Sequence, residues 1–227
     1  MATGTVKLLH YGLQRSGTNY LEALLAKNFR VRFLNSNSSR SSPLQKHCRF
    51  YDQKDIVPQA EYRNAIVVNN FRQFEELFDV VPDYYLIISK DPYSWYLSYR
   101  SWAQQCGWPS VTHHYIEEYN LYYGKFLELS LATEKILFVR YVELLTNRRA
   151  VLNALAVRMN LEKRFLSRFR TWSPRLVAQS TSFSGDRRDF YIGEEFLRAF
   201  SEEELRVLNG VLDVRVASLL GYQRRDS

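Results

Sequence analysis

The stretch Tyr11-Gly12-Leu13-Gln14-Arg15-Ser16-Gly17-Thr18-Asn19-Tyr20 leaves an apolar run at residues 7–11 (KLLHY), passes two glycines and enters a helical pattern over residues 19–27. A strand that turns through glycines into a helix points successive backbone N–H groups, and the positive end of the helix, at one place. Such a turn is a cradle for a phosphate. Gly12 and Gly17 carry the Gly-x4-Gly spacing of a nucleotide-binding P-loop. A loop built for a magnesium nucleotide continues with Lys and Ser/Thr, so that an ammonium reaches the β/γ-phosphates and a hydroxyl holds the metal. Here Thr18-Asn19 occupy that place and the cation has moved inside the loop, to Arg15. ATP or GTP would lose its key cation in this arrangement, whereas a donor with a single 5′-phosphate carrying a transferable group would not need it there.

On either side of the loop, short apolar runs alternate with longer helical patterns, the mark of a parallel sheet with helices on its faces. Strands are expected at residues 7–11, 31–34, 65–68, 84–89 and 135–140, and helices at 19–27, 71–78, 94–104, 113–131, 142–159 and 201–220. The runs at 65, 84 and 135 are apolar over consecutive positions, which places them in the middle of the sheet. The last helix opens on a capping box, Ser201 with Glu204, and stops at Gly221. The expected fold is α/β: a three-layer single domain over residues 1–227, with a central parallel β-sheet and a P-loop-like phosphate-binding loop. Residues 35–42 (NSNSSRSS) are too polar to pack and are read as a surface loop at a strand end, where ligand-binding loops gather. From about Leu161 the rhythm gives way to helix and irregular loop, with a basic pair at Arg187 and Arg188.

Composition narrows the class further. The chain has 227 residues, 46% hydrophobic and 24% charged, which fits neither a disordered nor a fibrous protein. No apolar run approaches the roughly 20 residues of a membrane span, and the first 15 residues lack a signal-peptide pattern, so a soluble, cytoplasmic protein is expected. Cys48 and Cys106 have no metal-ligand spacing, and no metal is expected. The net charge of +7 suits nucleic acid, an anionic small molecule, an acidic surface or solubility alone. A nucleic-acid binder would gather its cations on one stripe; here they are spread along the chain and interleaved with 24 acidic residues.

Gln14-Arg15-Ser16-Gly17-Thr18-Asn19-Tyr20 resembles the 5′-phosphosulfate loop of the sulfotransferase family, approximately Pro-Lys/Arg-Ser-Gly-Thr-Thr-Trp, whose donor is 3′-phosphoadenosine 5′-phosphosulfate (PAPS) and whose product is PAP. The resemblance implies that Arg15 contacts the bridging oxygen and sulfuryl group, that Ser16, Gly17, Thr18 and Asn19 hold the 5′-phosphate, and that Tyr20 stacks on the adenine. A second match is Lys90-Asp91-Pro92 with Ser98, similar to the family's Arg-Asp/Asn-Pro strand end and the Ser eight residues on; these bind the donor's 3′-phosphate in the family. Two turns of helix separate Lys90 from Ser98, so ammonium and hydroxyl can converge on one anion. Lys for Arg is a departure, because an ammonium cannot form the bidentate fork. Residues 137–145 are similar to the family's strand followed by Tyr-Glu-Asp-Leu, which implies Tyr141 near the adenine. Gly185-Asp186-Arg187-Arg188 resembles the late Gly-Asp-x-Lys segment, with Arg188 where Lys is expected to reach the 3′-phosphate; the preceding Arg-Lys-Gly is missing.

Sulfuryl transfer requires removal of the acceptor's proton, and histidine suits that task because its pKa lies near neutrality. Of the four histidines, His10 falls in the first strand, where burial is expected, and His113 and His114 open a helix. His47 follows Lys46 where many family members carry Lys-x-His with His as general base, although the spacing here is one residue shorter. Other branches use a carboxylate, for which Asp52 or Asp55 stand near. Residues 84–123 hold 12 of the 34 aromatic residues, material for an acceptor pocket or for core packing. The resemblance thus implies transfer from PAPS to a hydroxyl or amine of a small-molecule or carbohydrate acceptor. The competing readings are a P-loop kinase-like phosphotransferase, suggested by the glycines and by Asp91 after an apolar strand, and a basic non-catalytic nucleic-acid-binding protein.

Overall fold

The computed structural model describes residues 4–35, 42–55, 65–107, 114–164 and 185–225, with residues 185–188 described by backbone alone. β1 (Val6–Tyr11) leads through the glycine loop into α1 (Thr18–Asn28) and β2 (Val31–Phe33), followed by β3 (Arg49–Tyr51), β4 (Ala65–Val67) and α2 (Phe71–Glu75). β5 (Tyr84–Ser89), α3 (Pro92–Cys106), α4 (Tyr115–Ser130) and β6 (Ile136–Arg140) come next. The chain then runs through α5 (Tyr141–Thr146), α6 (Arg148–Arg158), α7 (Gly185–Ile192), α8 (Glu202–Val211) and α9 (Val214–Leu219). The central sheet is parallel throughout, in the order β2-β1-β5-β6. Its register pairs Tyr11 with Ile87 and Ser89 with Arg140, so the C-terminal ends of β1, β5 and β6 lie side by side along one edge. That edge carries the glycine loop, Lys90 and Tyr141.

Side-chain parity along these strands divides the core into two layers. Leu9 and Tyr11 of β1 and Tyr85 and Ile87 of β5 face a cluster that includes Phe74, Trp95, Tyr119, Tyr123 and Phe126. Leu8 of β1, Leu86 and Ile88 of β5 and Leu137 and Val139 of β6 face an aliphatic layer supplied by α1, α5 and α6. Strands covered on both faces must be apolar at every position, which is why these runs do not alternate with polar residues. Most of the aromatic concentration is packing material on one side of the sheet: Trp95, Tyr99, Tyr119, Tyr122 and Tyr123 are each fully buried. No helix among the described residues is long and apolar enough to cross a membrane.

Four expectations are corrected. The 65–68 run is not central: β4 pairs only with β3, in a separate two-stranded parallel sheet, and its residues are half-buried. An apolar run of this length satisfies a small sheet as well as a buried one. β3 itself was not expected, because Arg49 interrupts its apolar pattern. The helix expected over 142–159 is two helices meeting at Asn147, whose backbone leaves helical geometry (φ −138°) and whose side chain accepts from the Ala150 N–H. The helix expected over 201–220 likewise breaks at extended Leu212, and Asp213 caps a new helix through the Arg215 and Val216 N–H groups. Both breaks are made by side chains that satisfy orphan backbone donors better than a continued helix would. The basic pair Arg187-Arg188 lies on α7 rather than in an irregular loop.

The capping box of α8 is complete, with the Ser201 Oγ accepting from Glu204 N–H at 3.2 Å and Glu204 accepting from Ser201 N–H at 3.0 Å. Gly221 (φ +79°) ends α9 in a left-handed turn, with the Tyr222 N–H donating to Ala217 O. Phe74 sits edge-on to Phe50 and Phe78 and against Tyr85, with ring centroids 4.9–5.3 Å apart. Phe74→Ala is expected to lower unfolding free energy by about 3–5 kcal/mol through lost burial and a residual cavity; urea denaturation followed by tryptophan fluorescence checks it.

Candidate active site

The two glycines of the loop are required for different reasons. A Cβ on Gly12 would lie 2.8 Å from the Ile88 carbonyl and 2.4 Å from Ser16 Oγ, so the loop can press against β5 only without a side chain there. Gly17 takes φ +104°, and a Cβ would meet the Tyr141 ring at 2.6 Å. Between them Arg15 is held at φ +71°, a left-handed geometry that costs a non-glycine residue roughly 1–2 kcal/mol. Gly17, the residue before α1, has no side chain with which to cap the amides of the first turn. The loop is fixed from three sides: the Trp95 indole donates to Gln14 O (2.9 Å), Arg49 donates to Gln14 Oε1 (2.9 Å), and the Gly12 N–H donates to Lys46 O (3.2 Å). Arg15 and Asn19 are exposed, while Ser16 and Thr18 are buried.

One strand away, Lys90 directly follows β5 with only 3% of its surface exposed. Its ammonium donates to Ser98 Oγ at 2.7 Å and to the Tyr191 hydroxyl at 3.0 Å, and lies 4.2 Å from the Tyr191 ring centroid and 5.6 Å from that of Tyr141. Among the described residues no carboxylate lies within ion-pair distance of it. Burial lowers its pKa, Tyr191 opposes that shift, and the positive charge of Arg15 adds to it. The neighbouring Asp91 caps α3, accepting from the Tyr93 and Ser94 N–H groups at 3.1 Å each, with Pro92 preset for the first helical turn. The aspartate that imitates a metal ligand in sequence is therefore a helix cap. Lys90, Arg140, Tyr141, Tyr191 and Arg225 line a pocket of about 300 Å³ at this edge. A larger groove of about 1060 Å³ lies at the opposite edge, around Lys7, Asp83 and Lys135, away from all of these groups.

His47 reaches the same loop. Its Nδ1 lies 2.7 Å from the Gly12 carbonyl, which can only accept, so Nδ1 carries the proton and Nε2 the basic lone pair. The residue is half-buried, and desolvation of the ring pushes its pKa down to about 3, with Lys46 and Arg49 adding to the shift and the Gly12 bond opposing it. Lys46 donates to Asn19 Oδ1 at 2.5 Å and lies 3.7 Å from Glu22. His10 is fully buried between Asn35 (2.9 Å) and Glu22 (3.2 Å). Asp52 is engaged by Lys125 at 2.7 Å, and Asp55 ends the short 3₁₀ turn Gln53–Asp55.

Tyr20 and Tyr141 meet edge to face at 6.2 Å, with the Arg148 guanidinium 5.9 Å from the Tyr20 ring. The structure thus gathers Arg15 to Tyr20, His47, Lys90, Ser98 and Tyr141 on one edge of the sheet. The side chains of Arg187 and Arg188, together with Trp108, His113 and residues 36–41, lie outside the described residues. Three contributors were missed from sequence: Tyr191 on Lys90, and the buried pair Arg49 and Glu118. Arg49 left one signal, a charge set between the apolar Cys48 and Phe50.

Neither a protein-family model nor a curated protein matches the chain. Among solved structures, the chain is similar to mouse sulfotransferase SULT7A1 complexed with PAP, at 12% sequence identity, covering 92% of this chain and 84% of that one, with a TM-score of 0.49.

Two titrations act in opposite senses on stability. His47 is depressed to about 3, so the unfolded chain binds its proton more readily; the stability it contributes is complete above about pH 6.5 and is lost as pH falls toward 3. Burial raises Asp91 to about 6, so this proton is held more tightly when folded, and stability falls as pH rises from about 4 to 6. Each slope is bounded at about 1.4 kcal/mol per pH unit, and the two offset one another between pH 4 and 6. Asp91→Asn, which keeps the cap, is expected to make the melting temperature climb with pH across that window. His47→Gln is expected to make it fall. Scanning calorimetry at half-unit pH steps reads both.

Proposed function

We propose that the protein is a sulfotransferase that transfers the sulfuryl group of PAPS to a hydroxyl or amine of a small-molecule or carbohydrate acceptor. The observation that carries the reading is Lys90: a buried ammonium beside Ser98, with no carboxylate partner among the described residues, one strand from a glycine loop that holds Arg15 in a left-handed turn. Two anion positions at the ends of adjacent strands suit a donor with a 5′-phosphosulfate and a separate 3′-phosphate. The residues fit that donor: the cradle at Gly12 is one that a Cβ would fill, and the groups at Lys90 are a cation and hydroxyls.

When bound, PAPS supplies an activated sulfuryl group on a phosphate leaving group. Ser16, Gly17, Thr18 and Asn19 hold the 5′-phosphate through loop amides and the α1 N-terminus, and Arg15 places positive charge where the leaving oxygen gains negative charge. Lys90 and Ser98, with Arg188 from α7, hold the 3′-phosphate. Tyr20 and Tyr141 form the adenine wall. His47 Nε2 takes the acceptor's proton; its ring is neutral at pH 7, and an anion bound at the loop raises its basicity.

Support would come from a thermal shift with PAP that Arg15→Ala and Lys90→Ala each reduce. At a hundredfold excess over Kd such binding is worth about 2.7 kcal/mol. Stabilisation by ATP with magnesium and none by PAP would overturn the proposal. With labelled donor and a panel of acceptor classes, His47→Ala is expected to lose roughly 10²- to 10⁴-fold in turnover while keeping its PAP response.

A further inference from the structure

We propose that Tyr191 is a positioning residue for the anion site at Lys90: its hydroxyl and ring orient the ammonium beside Ser98, so that Lys90 meets the donor's 3′-phosphate already aimed. The inference rests on the donor assigned above. Its warrant is that the cation at the strand end is a lysine, Lys90, rather than a planar guanidinium. An arginine carries its own rigid fork, whereas a lysine is a point charge on four rotatable bonds and loses about 2 kcal/mol of rotamer freedom when fixed. Something must fix it. Ser98 takes one N–H at 2.7 Å and Tyr191 takes another at 3.0 Å, while the Tyr191 ring lies 4.2 Å from the nitrogen, within cation–π range.

Tyr191 is itself held. It meets the Tyr141 ring edge-on at 5.5 Å (89°) and Phe190 at 5.2 Å, and it sits on α7, 101 residues from Lys90 in sequence. A buried ammonium with no carboxylate partner is costly unless its protons are directed to acceptors. Tyr191 supplies an acceptor without neutralising the charge, which leaves the full positive charge for a ligand. A carboxylate in its place would have cancelled it.

Isothermal titration with PAP and with 5′-AMP, which lacks only the 3′-phosphate, separates this role from a structural one. Tyr191→Phe keeps the ring and is expected to weaken PAP about tenfold, the worth of one hydrogen bond to a charged group, while leaving AMP within about twofold. Tyr191→Phe added to Lys90→Ala is expected to cost nothing more, because the two act through one interaction. Wild-type affinity for PAP in Tyr191→Phe, or an equal loss for PAP and AMP, overturns the positioning role alone. Equal binding of PAP and AMP by the unaltered protein overturns the donor assignment and the positioning role with it. Tyr191→Phe removes one oxygen, and its folding is checked by a single cooperative melt, lowered by no more than the few degrees that one lost acceptor on Lys90 costs.

Discussion

The Arg49–Glu118 ion pair, fully buried between β3 and α4, is the contact on which the geometry of the site depends. Taking both charges out of water costs several kcal/mol per ion, and the attraction repays this only if the remaining polar atoms are satisfied. Here they are shared across the site. Arg49 also donates to Gln14 of the glycine loop, to the carbonyl of His47, and weakly to Tyr99 of α3, which in turn donates to Glu118. One guanidinium thus ties together the glycine loop, the histidine segment and two helices. An apolar pair of equal volume would fill the space but could not hold Gln14 and His47 at once, so the pair is best understood as setting geometry rather than adding stability.

A second polar step runs along the same helix face. Lys125 lies two turns beyond Glu118 on α4 and meets Asp52, three residues beyond Arg49. Opposite charges at matched intervals fix the register of β3 against α4, since a shift of either element would bury an unpaired charge. The two pairs thus give a strand of only three residues a defined register against α4. They also explain why Asp52, which looked like a spare carboxylate, is occupied.

The outline of the fold was legible because continuous apolar runs and glycine turns are local signals: the strands at 84–89 and 135–140 and the loop at residues 11–20 all lie where their patterns put them. Failures occurred where a distant partner overrode the local pattern. Arg49 makes a strand only because Glu118 waits 69 residues on, and Tyr191 joins the site only because α7 folds back onto Lys90. Asn147 and Asp213 were misjudged differently: each carries a local cap signal that an apolar periodicity on both sides concealed. The cations divide in the same way: Arg49 and Lys125 are neutralised inside the protein, whereas Lys90 is buried without a carboxylate partner among the described residues.

The bond from His47 to the Gly12 carbonyl, closed by the Gly12 N–H on Lys46 O, makes the imidazole part of the loop's own backbone frame. Any rocking of the segment that carries residues 42–48 therefore moves with the loop instead of opening a gap between them. Surrounding surfaces can change shape, lengthen or exchange side chains without altering the distance from ring to loop. A protein built this way can vary the rim around the ring while ring and loop stay in alignment, because both hang from a single residue, Gly12.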